Sequence, residues 1–294
     1  MLVALVLEAG PRAVWDALVL AGPWLPLILL FDAGWFVGEV VAHRGLLEDA
    51  RARMPLGALA RANLAAYALV ALAPLGKAGA EIARALAVAR YTGGPRAVAA
   101  ATNVQAASLL GNALVSVPCA LAVGAALGPR SPLTWLVAGN GVVTLALGAS
   151  AVLMARRGRL GERLARRFVA LGVDGPRLDE ALRVRRPTFA RAVAATFAAR
   201  LSQTAQYGVI LLAVGGALGL GSAFATQGVH LVGAGLGDFV PGQLGVVESA
   251  YRWFADALAL APAQALAVGL LARASSLLLA ALALGGLALW RAPT

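Results

Sequence analysis

Apolar residues run along this chain in blocks, with no alternating or 3.6-residue polar face over long distances. LVSVPCALAVGAAL and SSLLLAALALGGLALW are long enough and uncharged enough to read as membrane spans. The pattern predicts a first span over about 18–41, bent at Pro23 and Pro26, then a loop with His43, Arg44, Arg51 and Arg53. An apolar segment follows over about 57–73, and a short helix over about 79–90 closes at YTGGP. Spans over about 96–126 and 133–155 flank the loop GPRSP, and another covers about 188–218. The glycine-rich stretch SAFATQGVHLVGAGLGDFV reads as too interrupted for a full crossing. A short helix over about 246–259 comes next, and Pro262 opens a last span that ends near Trp290. The fold class expected is an all-α polytopic membrane protein.

Two interruptions share one outline. PLGKAGAE at 74–81 and PGQLGVVE at 241–248 both place a glutamate seven residues after a proline. The offset of 167 that maps Pro74 to Pro241 and Glu81 to Glu248 also maps Pro95 to Pro262 and Ser108 to Ser275. Pro74 and Pro241 block the preceding helix, while Gly76, Gly79, Gly242 and Gly245 permit a turn. A helix restarting near Gly79 or Gly245 exposes amide groups that attract anions. Irregular backbone at membrane depth survives only where protein or a wet cavity shelters it. The outline therefore predicts two re-entrant, broken-helix hairpins. Three spans lie between them, an odd number, so the second must enter from the opposite face as an inverted repeat, an arrangement common in transporters. We expect one integral membrane domain over 1–294, with repeat one at 44–155, a linker at 156–187 and repeat two at 188–291.

Composition agrees and adds an orientation. Of 294 residues, 60% are hydrophobic and 13% charged, about half the charge of an ordinary soluble domain. The net charge of +11 is concentrated between 156 and 191, where eleven arginines face four acids. No aromatic platform or binding motif accompanies that charge, so no nucleic acid is expected. The positive-inside rule makes the linker cytoplasmic, beside anionic lipid, as it does loop 43–53. The expected location is the bacterial inner membrane, with the C-terminus cytoplasmic. MLVALVLEAG lacks a basic region and is too short for a signal peptide or a full span. The single cysteine, Cys119, excludes an internal disulfide and suits packing in a span.

Candidate chemistry is confined to a few polar residues in this apolar background. Arg84 lies three residues after Glu81 and Arg252 four after Glu248, so each pair shares a helix face. Lys77, the only lysine, and Gln243 sit inside the motifs. Arg200 and Arg273 fall within apolar spans, where an arginine costs about 2.5–3.5 kcal/mol on insertion scales. Lys77, Glu81, Arg84, Arg200, Gln243, Glu248, Arg252 and Arg273 are thus the substrate-binding candidates. Plainer readings stand beside this one. The two Glu–Arg pairs can be structural ion pairs, and Arg200 and Arg273 can snorkel or cap carbonyls. Asp32 and Glu39 can mark the cytoplasmic end of the first span, Asp238 can cap locally, and His230 can serve packing. Asn103, Gln105, Asn112 and Gln203 can join helices. GKA at 76–78 lacks the spacing of a phosphate loop, and no GxSxG, HExxH or Cys/His cluster exists. No catalytic residue, cofactor or metal is expected, so the chain reads as a non-enzyme.

VPGQLGVVES at 240–249, PAQALAVGLLARASSLLLAALALGGL at 262–287 and LAPLGKAGAEIARAL at 72–86 carry a resemblance. They are similar to the flippase-like membrane domain of lysylphosphatidylglycerol synthases and its stand-alone bacterial and archaeal relatives. The resemblance extends over about 13–290, and Arg273 falls where the family commonly has an arginine in its last span. Ala80 departs from the family's first motif by separating Gly79 from Glu81, and the usual extra N-terminal span is reduced to LVALVL. The synthases' soluble aminoacyl-transferring domain has no counterpart in these residues, so the resemblance implies lipid translocation rather than synthesis. The expectation is a flippase or scramblase, with Arg84, Arg200, Arg252 and Arg273 holding a polar, phosphate-bearing headgroup while the tails stay in the bilayer. Membrane lipids are the expected partners; a homodimer and a lipid-modifying enzyme partner stay open. So do two alternatives, a carrier of a small soluble anion and a non-transporting protein that presents lipid to an enzyme.

Overall fold

A computed structural model describes residues 2–72, 76–158, 160–166, 173–237, 240, 243 and 245–289, and the side chains of these except 71, 72, 76–78 and 287–289. Every α or β element among the described residues is helical. The helices are α1 (Leu2–Ala9), α2 (Pro11–Ala21), α3 (Leu25–Leu46), α4 (Leu56–Leu72), α5 (Gly76–Thr92), α6 (Gly94–Leu127) and α7 (Pro132–Arg156). After them come α8 (Gly161–Ala165), α9 (Gly175–Leu182), α10 (Arg186–Ala213), α11 (Leu220–Gly237), α12 (Val246–Trp253) and α13 (Pro262–Leu289).

Among the described residues, four helical stretches are long and apolar enough to cross a membrane: Pro11–Leu46, Gly94–Leu127, Pro132–Arg156 and Pro262–Gly286. The first joins α2 to α3 through a 3-10 turn, Gly22–Trp24, at the expected proline bend, and is longer at both ends than its apolar pattern suggested. α10 has 28 residues but is not among the four, because Arg191, Arg200, Gln203 and Gln206 dilute its apolar content. Leu121, Trp135, Val142 and Leu282 are exposed on these spans. Apolar side chains turned outward on apolar helices are what a lipid environment selects. The protein is thus an all-helical, multi-pass membrane protein.

The glycine-rich stretch is helical from Leu220 to Gly237, α11, and, as expected, it is not among the helices long and apolar enough to cross a membrane. Its glycines act as contact surfaces rather than breaks: a Cβ on Gly228 would lie 3.3–3.4 Å from Val137, Cys119 and Val123. One on Gly233 would lie 3.0 Å from Val247 and Ala250 of α12. Small residues let helices approach closely where lipid gives no hydrophobic drive.

The chain forms two compact units. The first takes Met1–Trp35, Ala113–Val142 and Arg200–Leu279; the second takes Phe36–Asn112, Val143–Ala199 and Ala280–Thr294. The α4–α5 hairpin belongs to the second and the α11–α12 pair to the first.

In the second unit, α4 and α5 pack as a hairpin whose arms of 17 residues each reach about 25 Å. Val88 of α5 packs with Leu59 and Ala62 of α4, Val40 of α3 and Ala97 of α6. Gly93, at φ 86°, makes the one-residue turn from α5 into α6. Glu48 then gathers three segments: Oε2 meets Arg96 Nη1 at 3.3 Å, and Oε1 accepts from Arg185 N–H at 3.3 Å and Nε at 3.4 Å. The loop before α4, the start of α6 and the residue before α10 therefore meet. Both arms of the hairpin begin and end there, and its turn, with Pro74, lies outside the described residues.

The first unit holds the other pair. Gln264 of α13 donates to Val214 O beyond α10 at 2.8 Å and accepts from Ala261 N–H at 3.0 Å, tying the start of α13 to the end of α10. α12 has eight residues against 18 in α11, so this packed pair is less equal than α4 and α5.

Candidate functional site

In the first unit the second motif builds a locked carboxylate. Gln243, at φ 54°, and Gly245, at φ 83°, are both left-handed, which turns the chain sharply into α12. Glu248, fully buried at the third position of α12, folds back so that Oε2 accepts Gly245 N–H at 2.9 Å. Ser249 Oγ donates to Gly245 O at 2.6 Å. This is the glutamate half of a capping box, the N-cap glycine having no side chain to return the bond. Arg273 of α13 closes the site: Nε pairs with Glu248 Oε1, and Nη2 donates to Glu248 Oε2 at 3.3 Å and to Gln243 O at 3.1 Å. The approach depends on Gly269, one turn earlier, where a Cβ would lie 3.2 Å from Glu248 and Tyr251.

One expectation is corrected by this geometry. Glu248 pairs with Arg273, not with Arg252. At the start of α12 it also takes the Gly245 amide. Arg252 makes no ion pair among the described residues, and its Nε is buried without a hydrogen-bond partner. Arg200 Nη1 donates to Gln203 Oε1 at 2.8 Å, which also accepts from Gln227 Nε2 at 3.3 Å. His230 packs against Tyr207, ring centroids 4.8 Å apart, as the packing reading had it.

In the second unit the first motif is looser. α5 begins at Gly76, earlier than Gly79, so Glu81 sits in its second turn rather than at its start. Glu81 Oε1 meets Arg84 Nη1 at 3.3 Å, the pairing that spacing predicted. Glu81 Oε2 and Arg84 Nε are buried without partners. His43 of α3, fully buried, receives Asn63 Nδ2 of α4 at Nδ1, 3.1 Å away, while its Nε2 has no partner. Pro74, Pro241, Gly242, Asp238 and the side chain of Lys77 lie outside the described residues.

The two α3 acids do not mark a helix end. Asp32 is buried and accepts from Ser275 Oγ at 2.8 Å, while Gln206 Nε2 donates to the same serine at 3.1 Å. Glu39 is buried and accepts from Ser108 Oγ at 3.1 Å. A single sequence shows these acids as neighbours on one helix and gives no sign that serines 69 and 243 residues away would bind them. The only hint was the shared offset of Ser108 and Ser275.

No group of three or more metal-ligating side chains lies together among the described residues. No curated protein matches the chain. The family model for the lysylphosphatidylglycerol synthase TM region matches residues 1–285, which includes both proline–glycine motifs and the Glu248–Arg273 site. The chain belongs to the lysylphosphatidylglycerol synthase TM-region family.

Proposed function

We propose that this protein moves an amphipathic lipid with an anionic or phosphate-bearing headgroup between the leaflets of the bacterial inner membrane, without itself catalysing a reaction. The observation that carries the reading is the surplus of arginine over acid at the motifs. Arg273 is neutralised by Glu248, whereas Arg252, one turn further along α12, has no acidic partner among the described residues. A guanidinium nitrogen buried without a partner is costly unless an anion meets it, and guanidinium forms strong paired bonds to phosphate.

The transporter architecture has support from the helices. Subtracting 167 places α11, 220–237, over 53–70 and α13, 262–289, over 95–122, close to α4 and α6. The equivalent serines, Ser108 and Ser275, each bind a buried α3 carboxylate. In the proposed topology the two hairpins are re-entrant and dip from opposite leaflets, each offering its charged turn to a headgroup. The linker and C-terminus are cytoplasmic, in keeping with the meeting of both arginine-bearing loops at Glu48.

Native mass spectrometry of the full chain from mild detergent is expected to retain an anionic lipid, enriched over its share of the host membrane. Release of the chain bare, or with lipids in bulk proportion, contradicts lipid recognition.

A further inference from the structure

The two motif glutamates are built for different work. Glu248 has both oxygens engaged, by Arg273 and by its own helix start. Glu81 has one contact of 3.3 Å to Arg84, and its second oxygen is buried with nothing to accept from. Arg84 Nε and His43 Nε2 are buried and unsatisfied as well, and both residues are nine-tenths buried or more. Arg84 stands near enough to both His43 and Glu81, and Glu39 to Glu81, for their charges to interact. Three orphaned polar atoms in one buried cluster describe a site that is incomplete as it stands, since native interiors rarely leave such groups unpaired.

The charge inventory says what completes it. Glu81 and Arg84 together are neutral. An anion that takes Arg84 for itself leaves the half-buried Glu81 carboxylate, with its buried Oε2, uncompensated, which costs free energy. Protonating Glu81 removes that charge and turns Oε2 into a donor. The pocket then holds neutral Glu81 and an Arg84–anion pair, and its net charge is unchanged. Among the described residues, the other groups that bear on Glu81 do not spoil this balance. Glu39 of α3 keeps its bond from Ser108, and its negative charge favours a proton on Glu81. His43 Nδ1 stays engaged by Asn63 of α4.

We propose that the Glu81–Arg84–His43 cluster is a proton-exchange site: an anionic headgroup displaces Glu81 from Arg84, and Glu81 takes one proton from the aqueous phase, returning it when the headgroup leaves. The inference rests on the lipid-anion reading above and adds proton coupling to it. Glu248 is excluded from this role by its full set of partners.

Calorimetric titration of the full chain in detergent with dioctanoylphosphatidylglycerol, in two buffers of different ionisation enthalpy, tests it. About one proton is expected to be taken up per lipid bound, with affinity falling about tenfold per pH unit where Glu81 starts ionised. Glu81→Gln is expected to bind the lipid with no proton uptake and a flat pH profile. Uptake that survives Glu81→Gln overturns the assignment. Lipid binding by the wild-type chain with no uptake overturns proton coupling while leaving the lipid reading intact, and needs no variant to fold. Absence of binding removes both.

Discussion

Arg273→Met is expected to destabilise the protein by about 3–5 kcal/mol, the largest single effect in the molecule. The reason is asymmetry. Glu248 is fully buried and would be left with only the Gly245 amide to answer it. Glu248→Gln should cost a comparable amount from the other side, because Arg273 then faces a neutral amide inside an apolar helix packing. The double variant Glu248→Gln/Arg273→Met should recover much of the loss, since removing both charges of a buried pair is far milder than removing one. Thermal unfolding midpoints in detergent measure all three. Additive losses in the double variant would mean that the two residues act separately, against the observed geometry.

Arg252→Ala should behave in the opposite way, with a small change in unfolding midpoint and a large change in lipid handling. No ion pair among the described residues is broken by removing it. If its guanidinium meets a headgroup phosphate, the lost charge-assisted bond amounts to about 1.5–3 kcal/mol, a roughly 10- to 100-fold fall in lipid affinity or transport rate. Arg252→Lys keeps the charge but not the fork, so partial recovery is expected. A fully active Arg252→Ala, equally stable, would leave that arginine without the proposed role.

Much of this architecture was legible because proline and glycine act locally. The 3-10 turn before α3 and the start of α13 at Pro262 follow from a missing amide and a fixed φ, and need no tertiary information. Glycines were legible only where they turn the chain. In α11 the same residue type is a contact surface, and no local rule separates the two uses. Partner identity was the other blind spot. Spacing along α12 nominates Arg252 for Glu248, yet a glutamate at the third helical position can reach back to its own N-terminal amide, away from a residue one turn later. The true partner lies 25 residues on, across a contact that a side chain at Gly269 would crowd. Glu81, placed a turn deeper in α5, cannot cap in this way, and there the local i, i+3 rule gave the observed pair.

Lipid movement itself is tested most directly by reconstituting the full chain in phosphatidylethanolamine–phosphatidylglycerol liposomes containing a trace of fluorescent phosphatidylglycerol and an encapsulated aqueous anion. Added dithionite bleaches only outer-leaflet label in protein-free liposomes. With the protein, the inner-leaflet label is expected to follow while the aqueous anion stays inside. Bleaching no deeper than in empty liposomes for every lipid class tried, or escape of the anion with the label unmoved, would contradict the account.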